Sequence, residues 1–373
     1  MSADTTVVVG VLLAVVLLAG LFAVLTTRGR RWADRAAAAP ATEPFAEDPG
    51  ERPLAAVVVN PTKFDGGTDG VRAQVEVACT AAGWAPPLWL ETTVEDPGVG
   101  QTREALERGA AVVIACGGDG TVRTVGETLA GTGVPMGLLP AGTGNLLAHN
   151  LDVSATDVPG SVRIALTGHN RPVDVGWITV VGPGGVEHSR PEEQAFLVMA
   201  GMGFDAAIMA NAPEALKARV GPLAYAISGL RQLRGQQARV HLRVDGEAPV
   251  TRRVRTVVVG NCGELLGGLV LMPDAEVDDG WLDMVTISPR GVVGWAAVAA
   301  RVISRRRRGH GRVEHWRARD IVITSDTPQP AQLDGDPVGE AVELRMRVEP
   351  QALLVRVPAG SRDQGFLRRP DGD

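Results

Sequence analysis

The chain has 373 residues, a formal net charge of −6, 45% hydrophobic residues and frequent glycine and proline. This length exceeds the size of most single cores, so two globular domains with additional segments are expected. The acidic balance argues against general nucleic-acid binding. Three widely spaced cysteines fit a reducing compartment better than a disulfide scaffold, and the six histidines lack zinc-ligand spacing.

The first segment, residues 1–35, is predicted to be a membrane anchor. Val7–Leu25 contains nineteen residues without a charge, and Arg28, Arg30 and Arg31 follow it. Such a stretch is long enough to cross a bilayer as a helix, and the arginines predict a single-pass protein with a cytoplasmic catalytic part. A cleaved signal peptide with its cleavage site near Ala36–Ala39 is the alternative. Residues 36–53, rich in Ala, Pro and Glu, are predicted to form a linker.

Residues 54–170 alternate between short apolar runs and helix-like segments. The strand-like Ala55–Val59 comes first, and helical patterns follow at Val71–Ala82, Arg103–Arg108 and Thr121–Leu129. Such alternation is typical of βαβ units, so an α/β domain with a parallel sheet is expected here.

Residues 171–344 contain short strand candidates at regular intervals, a pattern that predicts an antiparallel β-sandwich. A segment of about 345–358 could return to the first domain, and residues 359–373 are expected to be a disordered tail. The strand candidates are Val173–Val181, Gln194–Ala200, Ala238–Val244, Val254–Gly260, Leu282–Ile287, Asp320–Thr324 and Val342–Val348.

Two glycine-rich turns carry the clearest functional signal. Cys116–Thr121 reads CGGDGT and Pro140–Asn145 reads PAGTGN, and each follows an apolar run. Glycines at the carboxyl end of a strand let the backbone approach a polyanion, which predicts a nucleotide phosphate site. Ordinary structural turns are the alternative. Neither turn is a GxGxxG fingerprint or a P-loop, because no lysine follows the glycines.

Together these motifs resemble the catalytic domain of the diacylglycerol kinase and sphingosine kinase superfamily, particularly its bacterial lipid kinases. The resemblance extends from about Leu54 to about Pro358. Its six elements, in chain order, are Asn60–Lys63 after the first strand, Glu91–Thr93, the paired turns GGDGT and PAGTGN, Gly201–Ala206 (GMGFDA), Pro273–Asp283 (a P-x-A-x-x-x-D-D-G element) and Leu333–Pro337 (LDGDP).

The resemblance implies an α/β nucleotide-binding domain and a β-sandwich lipid-binding domain with the active site in the cleft between them. It implies ATP and Mg²⁺ as cofactors, Asp336 as the base that takes the proton from a lipid hydroxyl, and Asp119 as a metal and network residue facing it. A second, structural Mg²⁺ is implied at Asp279 with carbonyls of Glu276 and Trp281. The implied ATP contacts are Asn60, Pro61, Thr62, Lys63, Thr92, Gly117, Gly118, Asp119, Gly120, Thr121, Gly142, Thr143 and Asn145.

One residue departs from the family pattern. The family usually has Glu where this chain has Asp336, and Asp is shorter by one methylene, roughly 1.5 Å of reach. Misplacement by ~1 Å can cost on the order of 100-fold in rate. A repositioned backbone, a water relay, another substrate or a weakened enzyme would each account for the substitution.

The function implied is an ATP-dependent lipid kinase, with diacylglycerol as the first candidate substrate. A sphingoid base or another hydroxyl lipid is an alternative acceptor. The residues also allow a soluble-substrate kinase resembling NAD kinases, a nucleotide or lipid sensor, or a membrane scaffold with a vestigial kinase fold. The expected partners are a lipid substrate, the membrane and, by resemblance, a second copy in a homodimer, but not nucleic acid.

Overall fold

The computed structural model describes residues 52–185, 193–203, 237–265, 269–289 and 313–359. The expected anchor at Val7–Leu25, most of the expected linker and tail, and residues 204–206 of the GMGFDA element lie outside these ranges. In the ranges described, the helices are too short or too polar to traverse a bilayer.

The described residues form five α-helices, sixteen strands and two short 3-10 turns, at Pro61–Lys63 and Pro183–Gly185. The helices are α1 (Asp69–Ala81), α2 (Val99–Glu107), α3 (Asp119–Leu129), α4 (Leu146–Asn150) and α5 (Val158–Thr167). The strands are β1 (Ala55–Val59), β2 (Leu88–Glu91), β3 (Val112–Gly117), β4 (Met136–Pro140), β5 (His169–Val181), β6 (Gln194–Phe196), β7 (Met199–Met202), β8 (Ala238–Val244), β9 (Val250–Val254), β10 (Thr256–Gly260), β11 (Glu264–Leu265), β12 (Leu269–Val270), β13 (Leu282–Ile287), β14 (Val313–Ala318), β15 (Asp320–Leu333) and β16 (Asp336–Val357).

The first part of the chain is an α/β domain, as predicted. Strands β2, β1, β3 and β4 pair side by side in parallel. All five residues of β1 are fully buried, because alternate side chains enter different cores. Ala56 and Val58 belong to one hydrophobic cluster, whereas Val57 and Val59 belong to the cluster that includes residues of α1 and α5. Burial on both faces explains why this strand has no polar alternation.

Helix α5 was not predicted, although its start carries ordinary signals. Asp157 caps it by accepting a hydrogen bond from the Gly160 N–H at 3.0 Å, and Pro159 stands in the first turn. A capping acid followed by proline is a known helix-start pattern. Val162, Ala165 and Leu166 then pack into the core beneath the sheet.

The second part is built mainly from antiparallel strands around a core of its own, which agrees with the predicted sandwich. This core includes Phe196, Leu242, Met284 and Ile321. Strands β15 and β16 extend well beyond the predicted Asp320–Thr324 and Val342–Val348, because they form one long hairpin that pairs as far as Leu333 and Asp336. Asp334 and Gly335 make its tip with φ of 47° and 89°, and Asp-Gly is a preferred pair for such a two-residue turn.

Strand β16 connects the two parts. It pairs antiparallel with β15 and β5, and its Val355 pairs in parallel with Met136 of β4. In the described residues, hydrogen bonds therefore join fourteen strands into one continuous network. This connection fixes the hairpin tip relative to the strands that carry the glycine turns.

Candidate active site

The carboxyl ends of β1, β3 and β4 bring three predicted elements together. The Asn60 N–H donates to the Cys116 carbonyl at 2.9 Å, and the Ala141 N–H donates to the Gly117 carbonyl at 2.8 Å. The turns that follow the three strands consequently lie side by side, in the order expected from parallel pairing.

The two glycine turns are in backbone contact at Gly118 and Gly142. A Cβ built on Gly142 would lie 2.7 Å from the Gly118 Cα, closer than real Cβ atoms come to other atoms. A Cβ on Gly118 would lie 3.5 Å from both the Gly142 Cα and the Lys63 Cε. The close approach of the two turns therefore requires a glycine at position 142, whereas a Cβ at position 118 would make only ordinary contacts. The Lys63 side chain lies beside this exposed backbone.

Asp119 joins the two turns. Its carboxylate accepts hydrogen bonds from the backbone N–H groups of Asn145, at 2.9 Å, and Leu146, at 2.6 Å. Burial raises the pKa of Asp119 to about 6; the charges of Asp334 and Asp336 add to this effect, and the two N–H groups oppose it. Asp119 thus lies in an acidic centre and also holds the PAGTGN turn in place.

Asn145 completes the second turn. Its φ of 48° is left-handed, its Oδ1 accepts from the Gly142 N–H at 3.0 Å, and its Nδ2 donates to the Gly142 carbonyl at 2.7 Å. Thr143, two residues before Asn145, is exposed, whereas Thr121 in the first turn is buried. Among these predicted contacts, Asn145 shapes the second turn, Thr121 is buried, and Thr143 is available to a ligand.

The predicted contacts Asn60, Pro61, Thr62 and Thr92 lie at the adjacent edge. Asn60 Oδ1 accepts from the Thr62 N–H at 3.1 Å and from the Thr62 hydroxyl at 2.7 Å. The Thr92 N–H donates to the Val59 carbonyl at 2.9 Å, which keeps the end of β2 beside the end of β1. These residues therefore line one side of the same strand ends.

Asp336 reaches this site from the β15–β16 hairpin. Its Oδ2 lies 3.0 Å from the position that a Cβ on Gly120 would occupy, and 3.1 Å from Nη2 of Arg123. The Asp336 side chain remains 52% exposed. A carboxylate beside the first glycine turn and open to solvent can meet a substrate hydroxyl there.

Sequence reasoning missed the structural role of Asp334. Its carboxylate accepts from the N–H groups of Leu197, Val198 and Met199 at 2.9 to 3.0 Å. Burial raises its pKa, while Arg123 and the three N–H groups favour the charged form. The Asp-Gly pair indicates the turn, but no local signal indicates donors more than one hundred residues away.

Arg123 was also missed. Its Nη1 donates to the Leu333 carbonyl at 2.7 Å, in addition to its contact with Asp336. One signal could have found it, since Arg123 lies four residues after Asp119 on the same helix and thus on the same face.

The predicted structural metal group is centred on Asp279. Its Oδ1 accepts from the Trp281 N–H at 3.0 Å, and its Oδ2 pairs with Arg317, whose guanidinium also lies over the Trp281 ring. Burial raises the pKa of Asp279 to about 7, which Arg317 opposes. Within the described ranges no group of three or more His, Cys, Asp or Glu residues could hold a metal. Both Asp279 oxygens have protein partners, so the metal at Asp279, Glu276 and Trp281 stays a prediction.

Buried Asp174, which the sequence analysis did not single out, anchors this loop. Its carboxylate accepts from the N–H groups of Gly280, at 2.6 Å, and Gln351, at 2.7 Å. It thereby ties the D-D-G element to β16.

Comparison with known proteins identifies both parts of the chain. The diacylglycerol kinase catalytic domain matches residues 55–178, and the YegS C-terminal NAD kinase beta sandwich-like domain matches residues 198–357. A probable lipid kinase YegS-like protein of Pseudomonas putida is 33% identical over 264 residues, which cover 69% of this chain and 81% of that protein. A probable lipid kinase YegS-like protein of Pseudomonas aeruginosa is 31% identical over 318 residues, which cover 82% of this chain and 94% of that protein.

A solved structure shows the same fold. A diacylglycerol kinase from Bacillus anthracis superposes with a TM-score of 0.59 at 19% identity, covering 84% of this chain and all of that one. The resemblance inferred from the glycine turns is therefore confirmed: the chain belongs to the YegS-like bacterial lipid kinase family, which carries the diacylglycerol kinase catalytic domain.

Proposed function

We propose that this protein is an ATP-dependent kinase that transfers the γ-phosphate to the hydroxyl of a lipid, with diacylglycerol as the first candidate. The observation that carries the proposal is the approach of Asp336 to the GGDGT turn, where its Oδ2 lies 3.0 Å from the position that a Cβ on Gly120 would occupy. A proton acceptor beside a phosphate turn supplies two parts that phosphoryl transfer to a hydroxyl requires.

The phosphates of ATP fit the paired turns. Gly118 and Gly142 expose backbone without side chains, and Lys63 adds a positive charge beside them. Helix α3 begins at Asp119, so its first N–H groups and its dipole also favour negative charge here. In this proposal the adenosine end lies near Asn60 and Thr92, which follow β1 and β2.

Mg²⁺ fits the acidic centre of the same site. Each oxygen of Asp119 already accepts one N–H, but a carboxylate oxygen has a further lone pair and can still hold the ion or its waters. The ion would neutralise charge on the transferring phosphate. No step is assigned to a second ion at Asp279, since Arg317 pairs with that carboxylate.

The phosphoryl-transfer step uses Asp336 as the proton acceptor and Lys63 as a positive charge near the phosphates. The lipid oxygen forms a bond to the γ-phosphorus as the bond from that phosphorus to the bridging oxygen of ADP breaks. The hydroxyl proton passes to Asp336, and ADP leaves with the bond electrons. Lys63 and the turn N–H groups stabilise the charge that spreads over the phosphate oxygens.

The lipid class is supported by the relatives. Two are named probable lipid kinase YegS-like, and a Staphylococcus saprophyticus protein named diacylglycerol kinase is 25% identical over 76% of this chain and 89% of that protein. Sphingoid bases and other hydroxyl lipids present the same reacting group, so they remain alternative acceptors.

The direct test uses the purified full chain, labelled ATP and a total lipid extract, with the labelled product identified by mass spectrometry. We expect a phosphorylated lipid, and we expect Asp336→Asn to lower kcat by about 10²- to 10⁴-fold. Asp320→Asn, an exposed carboxylate change at the start of β15, serves as the matched control. Saturable ATP binding without labelled lipid would favour a sensor, and label in a soluble product would favour a soluble-substrate kinase.

We also propose that Val7–Leu25 anchors the chain in the cell membrane with the catalytic part in the cytoplasm. The nineteen apolar residues followed by arginines support this. The full chain should fractionate with membranes, whereas a chain of residues 36–373 should not. Equal partitioning of both would contradict the anchor. A homodimer remains a separate proposal, to be checked by the mass of the detergent-solubilised full chain.

A further inference from the structure

Arg123 connects the phosphate helix to the hairpin that carries Asp336. It lies in the second turn of α3, and its side chain is only 18% exposed. One arm of the guanidinium, Nη1, donates to the Leu333 carbonyl at 2.7 Å, and the other, Nη2, donates to Asp336 Oδ2 at 3.1 Å. These acceptors stand at the two ends of the turn and face each other in the register of β15 and β16.

The turn is held from two sides. Asp334 fixes it to the sandwich through the N–H groups of residues 197–199. That contact determines where the tip is, but it does not determine where the side chain of Asp336 points. Arg123 supplies the second constraint from the α/β side, because it binds the backbone before the turn and the carboxylate after it.

Only a forked donor can make both contacts. The guanidinium is planar and presents several N–H donors in fixed directions, whereas a lysine ammonium is a single compact charge on a flexible stem. The Arg123 side chain is 18% exposed and the Asp336 side chain 52% exposed, so the pair is shielded from water on the arginine side only.

We propose that Arg123 is a positioning residue that sets the Asp336 carboxylate against the GGDGT turn. The proposal rests on the proposed kinase function and deepens it. An aspartate has one methylene less reach than a glutamate, so the position of its carboxylate depends more strongly on the backbone that carries it. Arg123 holds that backbone at Leu333 and the carboxylate itself.

The test is a double-mutant cycle on the full chain with Arg123→Met and Asp336→Asn. Arg123→Met should lower kcat by about 10- to 100-fold and leave the KM for ATP within about threefold, since a misplaced base affects the chemical step. In the Asp336→Asn background the same change should alter the remaining rate by less than about twofold. A full additional loss there would show that Arg123 acts on the phosphates independently, and this would overturn the proposal.

Two further variants separate geometry from charge and from folding. Arg123→Lys keeps the charge without the fork and should lose nearly as much kcat as Arg123→Met. Arg108→Met removes an exposed arginine that pairs with Glu104 on α2, and it should leave kcat unchanged. Full activity of Arg123→Lys would overturn the positioning role.

Thermal unfolding tests the contact between Arg123 and Asp336 without an activity assay. The four proteins are the natural chain, Arg123→Met, Asp336→Asn and the double variant. When Arg123 is present, Asp336→Asn removes an ion pair and should lower the melting temperature. When residue 123 is methionine, no ion pair is lost, and the same substitution should lower the melting temperature less or not at all. If the full chain phosphorylates no lipid, the proposed function fails, and the unfolding cycle still tests the contact. An equal change in melting temperature in both backgrounds would show that Arg123 does not stabilise Asp336, and this would overturn the proposal.

Discussion

The Asp119 carboxylate and the Leu146 backbone N–H are joined by a 2.6 Å hydrogen bond, which links the start of α3 to the start of α4. Asp119 also accepts from the Asn145 N–H, so one side chain holds the PAGTGN turn against the GGDGT turn. The carboxylate at the phosphate site therefore has a structural role that both glycine turns depend on.

Asp119→Asn should abolish most activity. An amide presents one oxygen where the carboxylate presents two, so its NH₂ group would face one of the two N–H donors. We expect a loss of about 100-fold or more in kcat, since the turns and the charge at the metal position change together. Steady-state phosphorylation assays would measure it, with Asp320→Asn as the control. Full phosphoryl transfer by Asp119→Asn would refute the catalytic scheme.

The pH dependence of stability should carry the signature of Asp119. Its folded pKa is raised from 3.8 to about 6, so between these values the folded state binds more protons than the unfolded state. The free energy of unfolding therefore falls as pH rises through this window. Asp119 should contribute about 1 to 3 kcal/mol to the free energy of unfolding below pH ~4, and this contribution should be lost above pH ~6.

Urea unfolding at several pH values would isolate this effect. The difference in unfolding free energy between Asp119→Asn and the natural chain should change in favour of the variant as pH rises from 4 to 7. A difference that does not vary with pH would contradict the raised pKa.

Asp334→Asn should lower the stability of the fold and leave the geometry of the hairpin turn unchanged. Asparagine tolerates the left-handed φ of this position, so the backbone geometry is kept and only the acceptor capacity changes. At least one buried N–H among Leu197, Val198 and Met199 would lose its partner, at a cost of about 1 to 3 kcal/mol. Calorimetry would show a lower melting temperature than for Asp320→Asn. Equal melting temperatures would mean that the three contacts do not stabilise the fold.

Gly142→Ala should weaken ATP binding, because the new Cβ would lie 2.7 Å from the Gly118 Cα and force the turns apart. We expect at least about a tenfold rise in the Kd for ATP, equivalent to about 1.4 kcal/mol. Gly66→Ala is the matched control, since a Cβ there meets no atom within 4 Å. Titration calorimetry measures both variants. Unchanged binding by Gly142→Ala would show that this approach of the turns is not required.

Much of the phosphate site could be inferred from short stretches of the chain. Buried strands such as Ala55–Val59 and the glycines after β3 and β4 express local rules: backbone burial, side-chain periodicity and permissive φ. Parallel pairing then brings the strand ends together with few alternatives. Asp334 and Gly335 carry a local signal of the same kind, since Asp-Gly favours a two-residue hairpin turn.

The acidic centre could not be inferred in this way. Arg123 and Asp336 are 213 positions apart, and Asp334 meets its three N–H partners across 135 to 137 positions. Such contacts depend on the exact registers of β15, β16 and β7, which side-chain periodicity does not specify to the residue. The amino-acid pattern therefore determined the kinase family and its glycine turns, and the folded chain decided which partners orient Asp336, because burial and hydrogen bonding between distant segments exist only after the strands have paired.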